Sequence, residues 1–287
     1  MRHALRARGL LRQATGVRLV HSVATPVRLL VGGGTVAALV VGRREKEAYG
    51  EGEMFRSEGM ETESPACIPG FGGNMYVLRR TPYTVSLFTC LRNKDSKQAD
   101  FVEATRTLTN LILSEAMSLL PSESCTVKTP VPGECYKGLR LADGNSCLCV
   151  VSILRAADSM TQAISNLHPG MPVGKILIQR DEETALPRLF FSKLPKDVAK
   201  RLVLLVDPML ATGGSANQAI RVLKKAGVAE EQIVMLSIVA APEGLRAIAA
   251  EHPLVRVLVG EVDRGLNAKA YIVPGLGDFG DRYFGTD

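Results

Sequence analysis

The most chemically pointed stretch of the sequence is Leu202-Val-Leu-Leu-Val-Asp-Pro-Met-Leu-Ala-Thr-Gly-Gly-Ser215. Its apolar, β-branched run predicts a buried strand that ends in an acid, Asp207. Pro208, Met209 and Leu210 then lead into Ala211, Thr212, Gly213, Gly214 and Ser215. Residues this small let backbone N–H groups close around a phosphate, and a helix starting there adds its dipole to the attraction. The hydroxyls of Thr212 and Ser215 are further donors. No GxxxxGK[ST] loop exists, and Asn217 stands where a lysine would be needed, so ATP chemistry of the Walker type is disfavoured.

Two glycine patterns are false leads. Gly275-Leu-Gly-Asp-Phe-Gly280 fits GxGxxG, but only seven residues follow it, which predicts no helix and no later ribose-binding acid. Gly32-Gly-Gly-Thr-Val-Ala37 fits GxGxxA without a βαβ unit after it. Six cysteines form no CxxC pair and the four histidines are far apart, excluding zinc fingers and thioredoxin-type redox pairs. Cys147 and Cys149, two apart in an apolar run, are expected on one side of a strand as packed, reduced thiols.

The elements that must position the phosphate loop alternate. Strands are expected at 147–154, 175–179, 202–206, 232–240 and 255–259. Helices are expected at 157–167, 215–226 (with Gly227 just past its end) and 242–250. Gln98–Leu120 carries Phe101, Leu108, Leu111, Ile112 and Leu119 at helical spacing. Prolines 121, 130 and 132 mark edge or hairpin structure after it. This order predicts a doubly wound, mainly parallel α/β sheet, with ligands beyond the carboxyl ends of its strands.

Charge divides the chain. The formal net charge is +6, yet residues 1–44 hold eight arginines, no lysine and no acid. The remaining 243 residues carry 27 basic and 29 acidic groups, a net of −2, which argues against a nucleic-acid partner. Residues 1–44 read as an organellar leader, with mitochondrial delivery expected and a cytoplasmic location as the alternative. The uncharged run 29–42 is shorter than the roughly 20 residues of a bilayer span, so any membrane contact is confined to the leader. Residues 45–74 read as a Gly/Glu/Ser/Pro-rich linker, and 75–287 as the catalytic domain.

With these residues in place, Asp207–Ser215 resembles the 5-phosphoribosyl-1-pyrophosphate (PRPP) loop of type I phosphoribosyltransferases, and is similar to that of the uracil phosphoribosyltransferase family in particular. Val151-Ser-Ile-Leu-Arg-Ala156, Gln179-Arg-Asp-Glu-Glu-Thr184, Ala240-Ala-Pro-Glu-Gly244, Tyr271–Asp281 and Phe284-Gly-Thr286 agree in the same order. The resemblance implies uracil plus PRPP giving UMP and pyrophosphate, with Mg²⁺ carried by PRPP and met through water by Asp207 and Asp278. It implies an N-terminal helix and a C-terminal base-binding hood on the sheet. Residues 207–215 would bind PRPP, with Arg155 and Arg180 on its pyrophosphate. Tyr271, Ile272, Gly277, Asp278 and Phe279 would bind uracil, largely by main chain, with Asp278 near the reacting nitrogen. The catalytic set would be Asp278, Arg180 and Arg155. A homodimer or homotetramer and a GTP effector are further implications. Pro187–Pro195 is a candidate flap.

The sequence departs from the pattern at three places. Ser152-Ile-Leu-Arg-Ala-Ala157-Asp158 stands where bacterial members carry Pro-Ile-Leu-Arg-Ala-Gly, adding a Cβ where strain is expected and a negative charge near pyrophosphate. Gln179 and Asp181 flank Arg180 in place of an aromatic and an Asn. Phe279 replaces an Ala and is tolerable if its ring points away from the base. These changes keep two alternatives open: a catalytically silent PRPP- or UMP-binding regulatory homologue, and a phosphoribosyltransferase for another base.

Overall fold

The computed structural model describes residues 27–31, 34–38, 65–142, 147–180 and 187–286. The chain forms two compact units, Met1–Met60 and Glu61–Asp287. In the first, strands β1 (Val27–Val31) and β2 (Gly34–Ala38) pair antiparallel, with Val27 opposite Ala38. The glycines of the GxGxxA match therefore lead into a strand. The other residues of 1–44, read as a leader, lie outside the described residues. Among the described residues no helix is long and apolar enough to cross a membrane.

The second unit opens with β3 (Ala66–Cys67), β4 (Met75–Val77), α1 (Pro82–Arg92) and α2 (Gln98–Met117). β5 (Ser122–Lys128) and β6 (Cys135–Leu141) form an antiparallel hairpin, in line with the prolines around them. Then come β7 (Leu148–Leu154), α3 (Asp158–Leu167), β8 (Val173–Arg180) and β9 (Pro187–Lys193). β10 (Leu202–Val206), β11 (Met209–Leu210) and α4 (Gly214–Lys225) carry the phosphate-loop region. β12 (Ile233–Ala240), α5 (Pro242–Glu251), β13 (Arg256–Val262), β14 (Gly265–Leu266), β15 (Ile272–Val273) and α6 (Phe279–Phe284) complete it.

The main sheet runs in the order β3-β4-β13-β12-β10-β7-β8-β9. Only its margins, β3 against β4 and β8 against β9, are antiparallel. β12 is buried along its whole length, as a strand covered on both faces must be. One face packs on α1, α2, α3 and α6 through Phe88, Leu108, Ile112, Met160 and Phe279. The other packs on α4 and α5 through Ile220, Leu223, Leu245 and Ile248. This is the doubly wound arrangement that the alternation predicts.

Some expectations change. α1 was not foreseen: its start is signalled by the Thr81 cap, which accepts from Thr84 N, and by Pro82. Ala66–Cys67, within the segment read as a linker, forms the edge strand β3. Cys147 and Cys149 do not share a side, because β7 starts at Leu148 and the alternation does not reach Cys147. Cys147 packs with the α1/α2 layer and Cys149 with the opposite one. Burial pushes the Cys149 thiol up to about 12, so it is an inert packed group. Pro187–Lys193 is a paired strand of the main sheet.

Phe101 on α2 is 1% exposed, meets the Phe279 ring edge-on at 5.4 Å, and lies under the Arg282 guanidinium at 4.4 Å. Phe101→Ala should lower the unfolding free energy by about 3–5 kcal/mol, read from urea or guanidinium titration at pH 7.

Candidate active site

β7 leads through α3 to β8 on one side, while β10 pairs with β7 on its other side and leads on to β12 and β13. The order of winding therefore reverses between β7 and β10, where Val206 lies opposite Ser152. Such a switch point opens a crevice at the carboxyl ends of the two strands, because their connections depart to opposite faces. The chain places Asp207 and Arg155 there, one just past each strand tip.

The phosphate loop is tied down along its first half. Asp207 N donates to Leu236 O at 3.1 Å, and Ser237 Oγ donates to Asp207 O at 2.6 Å. β11 runs parallel to β12, and Ala241 N donates to Leu210 O at 2.8 Å. The second half depends on glycine. Gly213, the residue before α4, has φ +81°, and a Cβ there would lie 3.0 Å from Gly244 O. A Cβ on Gly244 would lie 2.6 Å from Ala211 O. Two glycines thus let the loop rest against the first turn of α5. Residues 207 and 209–216 line a shallow concavity around them. Gly244 belongs to a recognised segment, but no role for it was legible before the loop could be seen lying on it.

Asp207 is half-buried at the base of this loop. Desolvation pushes its carboxyl up to about 7, against the pull of the Met209 amide, which donates to Oδ1 at 3.5 Å. A carboxylate so short of partners suits ribose hydroxyls or a cation.

Arg155 follows a cis peptide after Leu154. Its guanidinium is 66% exposed and lies 3.5 Å from Asp281 Oδ1. Gly280 lies beside them: a Cβ there would stand 3.4 Å from Arg155 Nη2 and 3.3 Å from Asp278 Oδ1. The structure therefore brings Arg155 to the C-terminal loop with Asp278. Arg180 ends β8, but its side chain lies outside the described residues, as do Asp181–Thr184.

The C-terminal loop differs from expectation in one respect. A helix does follow the GxGxxG match: α6, six residues long, with Asp278 as its cap accepting from Asp281 N at 3.0 Å. The Rossmann reading still fails, since the loop emerges from the two-residue strand β15 rather than from a strand of the main sheet. Phe279 is 2% exposed, with its ring against Phe101 and stacked on Tyr283 at 5.8 Å. Its ring points into the core, and of residues 277–279 only Gly277 and Asp278 reach the surface. Tyr271 is exposed as well.

The departures at β7 are absorbed. Ala157 has φ −68° and ψ −11°, ordinary right-handed backbone, so the expected strain is not there. Both carboxylate oxygens of Asp158 lie 3.1 Å from Lys175 Nζ on β8, so its charge is paired. Sequence reasoning missed Lys175, because the partnership exists only through the β7–β8 register that sets Ser152 beside Lys175.

A glycine-backed loop leading into a helix and an arginine, one past each strand tip at the switch point of a doubly wound sheet, fit a type I phosphoribosyltransferase. That is the class this fold and site define. The sequence profile described as "Uracil phosphoribosyltransferase" matches residues 77–286, and the chain belongs to that family. It is 47% identical to the uracil phosphoribosyltransferase of Dictyostelium discoideum over 75% of this chain and 97% of that one. It is 44% identical to the uracil phosphoribosyltransferase of Saccharomyces cerevisiae over 74% and 96%. Among solved structures, the AQ2163 protein of Aquifex aeolicus superposes with a TM-score of 0.64 at 31% identity, covering 73% of this chain and 97% of that one.

The raised Asp207 pKa has two measurable consequences. Its folded value of about 7 exceeds its unfolded value, so its contribution to stability is full below pH ~4 and is lost as pH rises through 7. Asp207→Asn should therefore raise the melting temperature by roughly 3–10 °C at pH 8, with the gain fading towards pH 4. Wild-type affinity for PRPP should fall as pH drops below about 7 more steeply than that of the Asn variant by calorimetry, since the phosphates of PRPP titrate in both.

Proposed function

We propose that the described site carries out the family's reaction in this chain, transferring the 5-phosphoribosyl group of PRPP to N1 of uracil to give UMP and pyrophosphate. The observation that supports it most is the glycine-backed loop Asp207–Ser215 opposite Arg155 at the switch point. On this reading the amides of 211–215 and the hydroxyls of Thr212 and Ser215 hold the 5-phosphate, and Asp207 accepts from the ribose hydroxyls. As the C1–O bond to pyrophosphate breaks, positive charge builds on the ribose and negative charge on the leaving group. Arg155 and Arg180 stabilise that negative charge, which is greatest in the transition state. Uracil N1 takes the opened C1 position, and its N–H proton departs near Asp278. The main chain of Ile272, Gly277 and Phe279 suits a base edge that alternates acceptor and donor, while Tyr271 covers the ring.

Magnesium enters this proposal with PRPP. Asp207, desolvated and weakly partnered, and the exposed Asp278 fit contact with it through water. When bound, it supplies charge neutralisation for the pyrophosphate. A homodimer or homotetramer is supported by exposed apolar groups on the β5–β6 hairpin (Val127, Val131, Tyr136 and Leu139) and on β9 (Leu189, Phe190 and Phe191). A GTP effector rests on the family resemblance alone.

The full chain with PRPP, Mg²⁺ and uracil should release pyrophosphate and form UMP, with no product from hypoxanthine or orotate. PRPP binding without turnover of uracil would overturn the assignment. Loss of one charge-assisted hydrogen bond corresponds to about 1.5–3 kcal/mol, or roughly 10- to 150-fold in rate. Arg180→Ala should lower turnover by that order. Gly213→Val should abolish PRPP binding through its φ and its clash with Gly244, with the circular-dichroism spectrum unchanged.

Mitochondrial delivery is proposed from the eight arginines and no acids of residues 1–44. Residues 1–44 fused ahead of a fluorescent protein should direct it to mitochondria, whereas diffuse fluorescence would favour the cytoplasm.

A further inference from the structure

Three residues given no part in the reaction hold the loop that would read the base. Gly275 opens that loop in a left-handed conformation, φ +65°, where a Cβ would sit 2.3 Å from Ile272 O. Its amide donates to Asp263 Oδ2 at 2.9 Å, and its carbonyl accepts from Arg92 Nη1 at 2.9 Å. One residue is thus gripped on both its peptide groups by two side chains that also grip each other. Arg92 donates to Asp263 through Nη1 at 3.0 Å and Nη2 at 2.6 Å, a planar fork on a carboxylate. Nη2 also donates to Glu261 Oε2 at 2.8 Å. The Asp263 side chain is only 4% exposed, so the pair is largely removed from water and from screening by salt.

A second arginine holds the same loop from its far side. Arg282 on α6 donates to Leu276 O at 2.6 Å, to Asn93 O at 2.7 Å and to Leu91 O. The carbonyls of Leu91 and Asn93 belong to the end of α1, where a helix leaves acceptors without intrahelical partners. The end of α1 is therefore the anchor of the base loop, reached outward by Arg92 and inward by Arg282. The contacts that hold the PRPP loop run instead to β12 and α5.

We propose that Arg92 and Asp263 are positioning residues for base recognition: their ion pair fixes the peptide planes of Gly275 and so sets where the main chain of 277–279 meets the base edge. This rests on the uracil reading above. The clamp acts on the base half of the site alone, because the phosphate half has its own supports. A lysine at position 92 keeps the charge but not the fork that reaches Asp263 and Gly275 together.

The test uses full-length Arg92→Met, Arg92→Lys and Asp263→Asn. The KM for uracil should rise about 10-fold or more in Arg92→Met, while PRPP affinity by calorimetry stays within about twofold. Arg92→Lys should recover part of the loss. The double variant Arg92→Met/Asp263→Asn should be no worse than Arg92→Met alone, since both remove one device. Amide hydrogen exchange of residues 272–280 should speed up in every variant. An unchanged uracil KM, or an equal loss of PRPP affinity, in folded Arg92→Met would overturn the clamp. Should Arg92→Met fail to fold, Arg92→Lys decides: unaltered exchange and KM reject the proposal. The exchange measurement needs no turnover, so an enzyme inactive towards uracil would sink the functional reading while the clamp is judged separately.

Discussion

The parallel pairing of Val206 with Ser152 leaves the ends of β10 and β7 side by side, with their following connections departing to opposite faces of the sheet. The loop and the arginine proposed for phosphoribosyl transfer stand one past each of those strand ends. The glycine-backed loop follows β10, and Arg155 follows β7. The loop carrying Asp278 closes over the arginine through Asp281 and Gly280. A crevice of this kind is a consequence of winding direction, so it needs no special sequence. What the sequence adds is the size and charge of the residues lining it.

Those residues are held in states that do not favour stability. Asp207 is kept where water cannot fully hydrate it, and its carboxyl is pushed up to about 7 as a result. Gly213 and Gly244 give the loop its approach to α5 and offer no side chains to pack. The surroundings over-determine these choices: three backbone bonds from β12 and the Ser237 hydroxyl hold the loop in position before any substrate arrives. Preorganisation of this sort means that little rearrangement is required when PRPP binds, so the binding energy is not spent on ordering the loop.

Much of this was legible in the sequence, for reasons that differ by region. β10, α4 and β12 announce themselves because each is a clean periodic run between glycine or proline signals, and the phosphate loop is a local motif in which neighbours in sequence do the work together. α1 was not legible. Its apolar residues Phe88 and Leu91 are few, and its start depends on the capping geometry of Thr81 and Thr84. The residues that support the base loop were hidden for a deeper reason. Arg92 and Gly275 are 183 positions apart, and Lys175 on β8 meets Asp158 at the start of α3 only once β8 lies beside β7. An arginine or lysine in an amphipathic pattern looks like solvated charge until topology supplies its partner. Ala157 misled in the opposite sense: its backbone was expected to be strained because a glycine is usual there, yet it sits in a conformation any residue adopts.

The burial of the Phe279 ring also bears on how the base loop can change over evolutionary time. Its neighbours inside the protein are Phe101 and Tyr283, and the whole residue is buried. Selection on the side chain at this position is therefore selection for core volume. Exchanges between a large ring and a small methyl group here should covary with the sizes of residues 101 and 283. They should carry no information about which base is used, even though the position lies in the middle of the segment proposed to meet it.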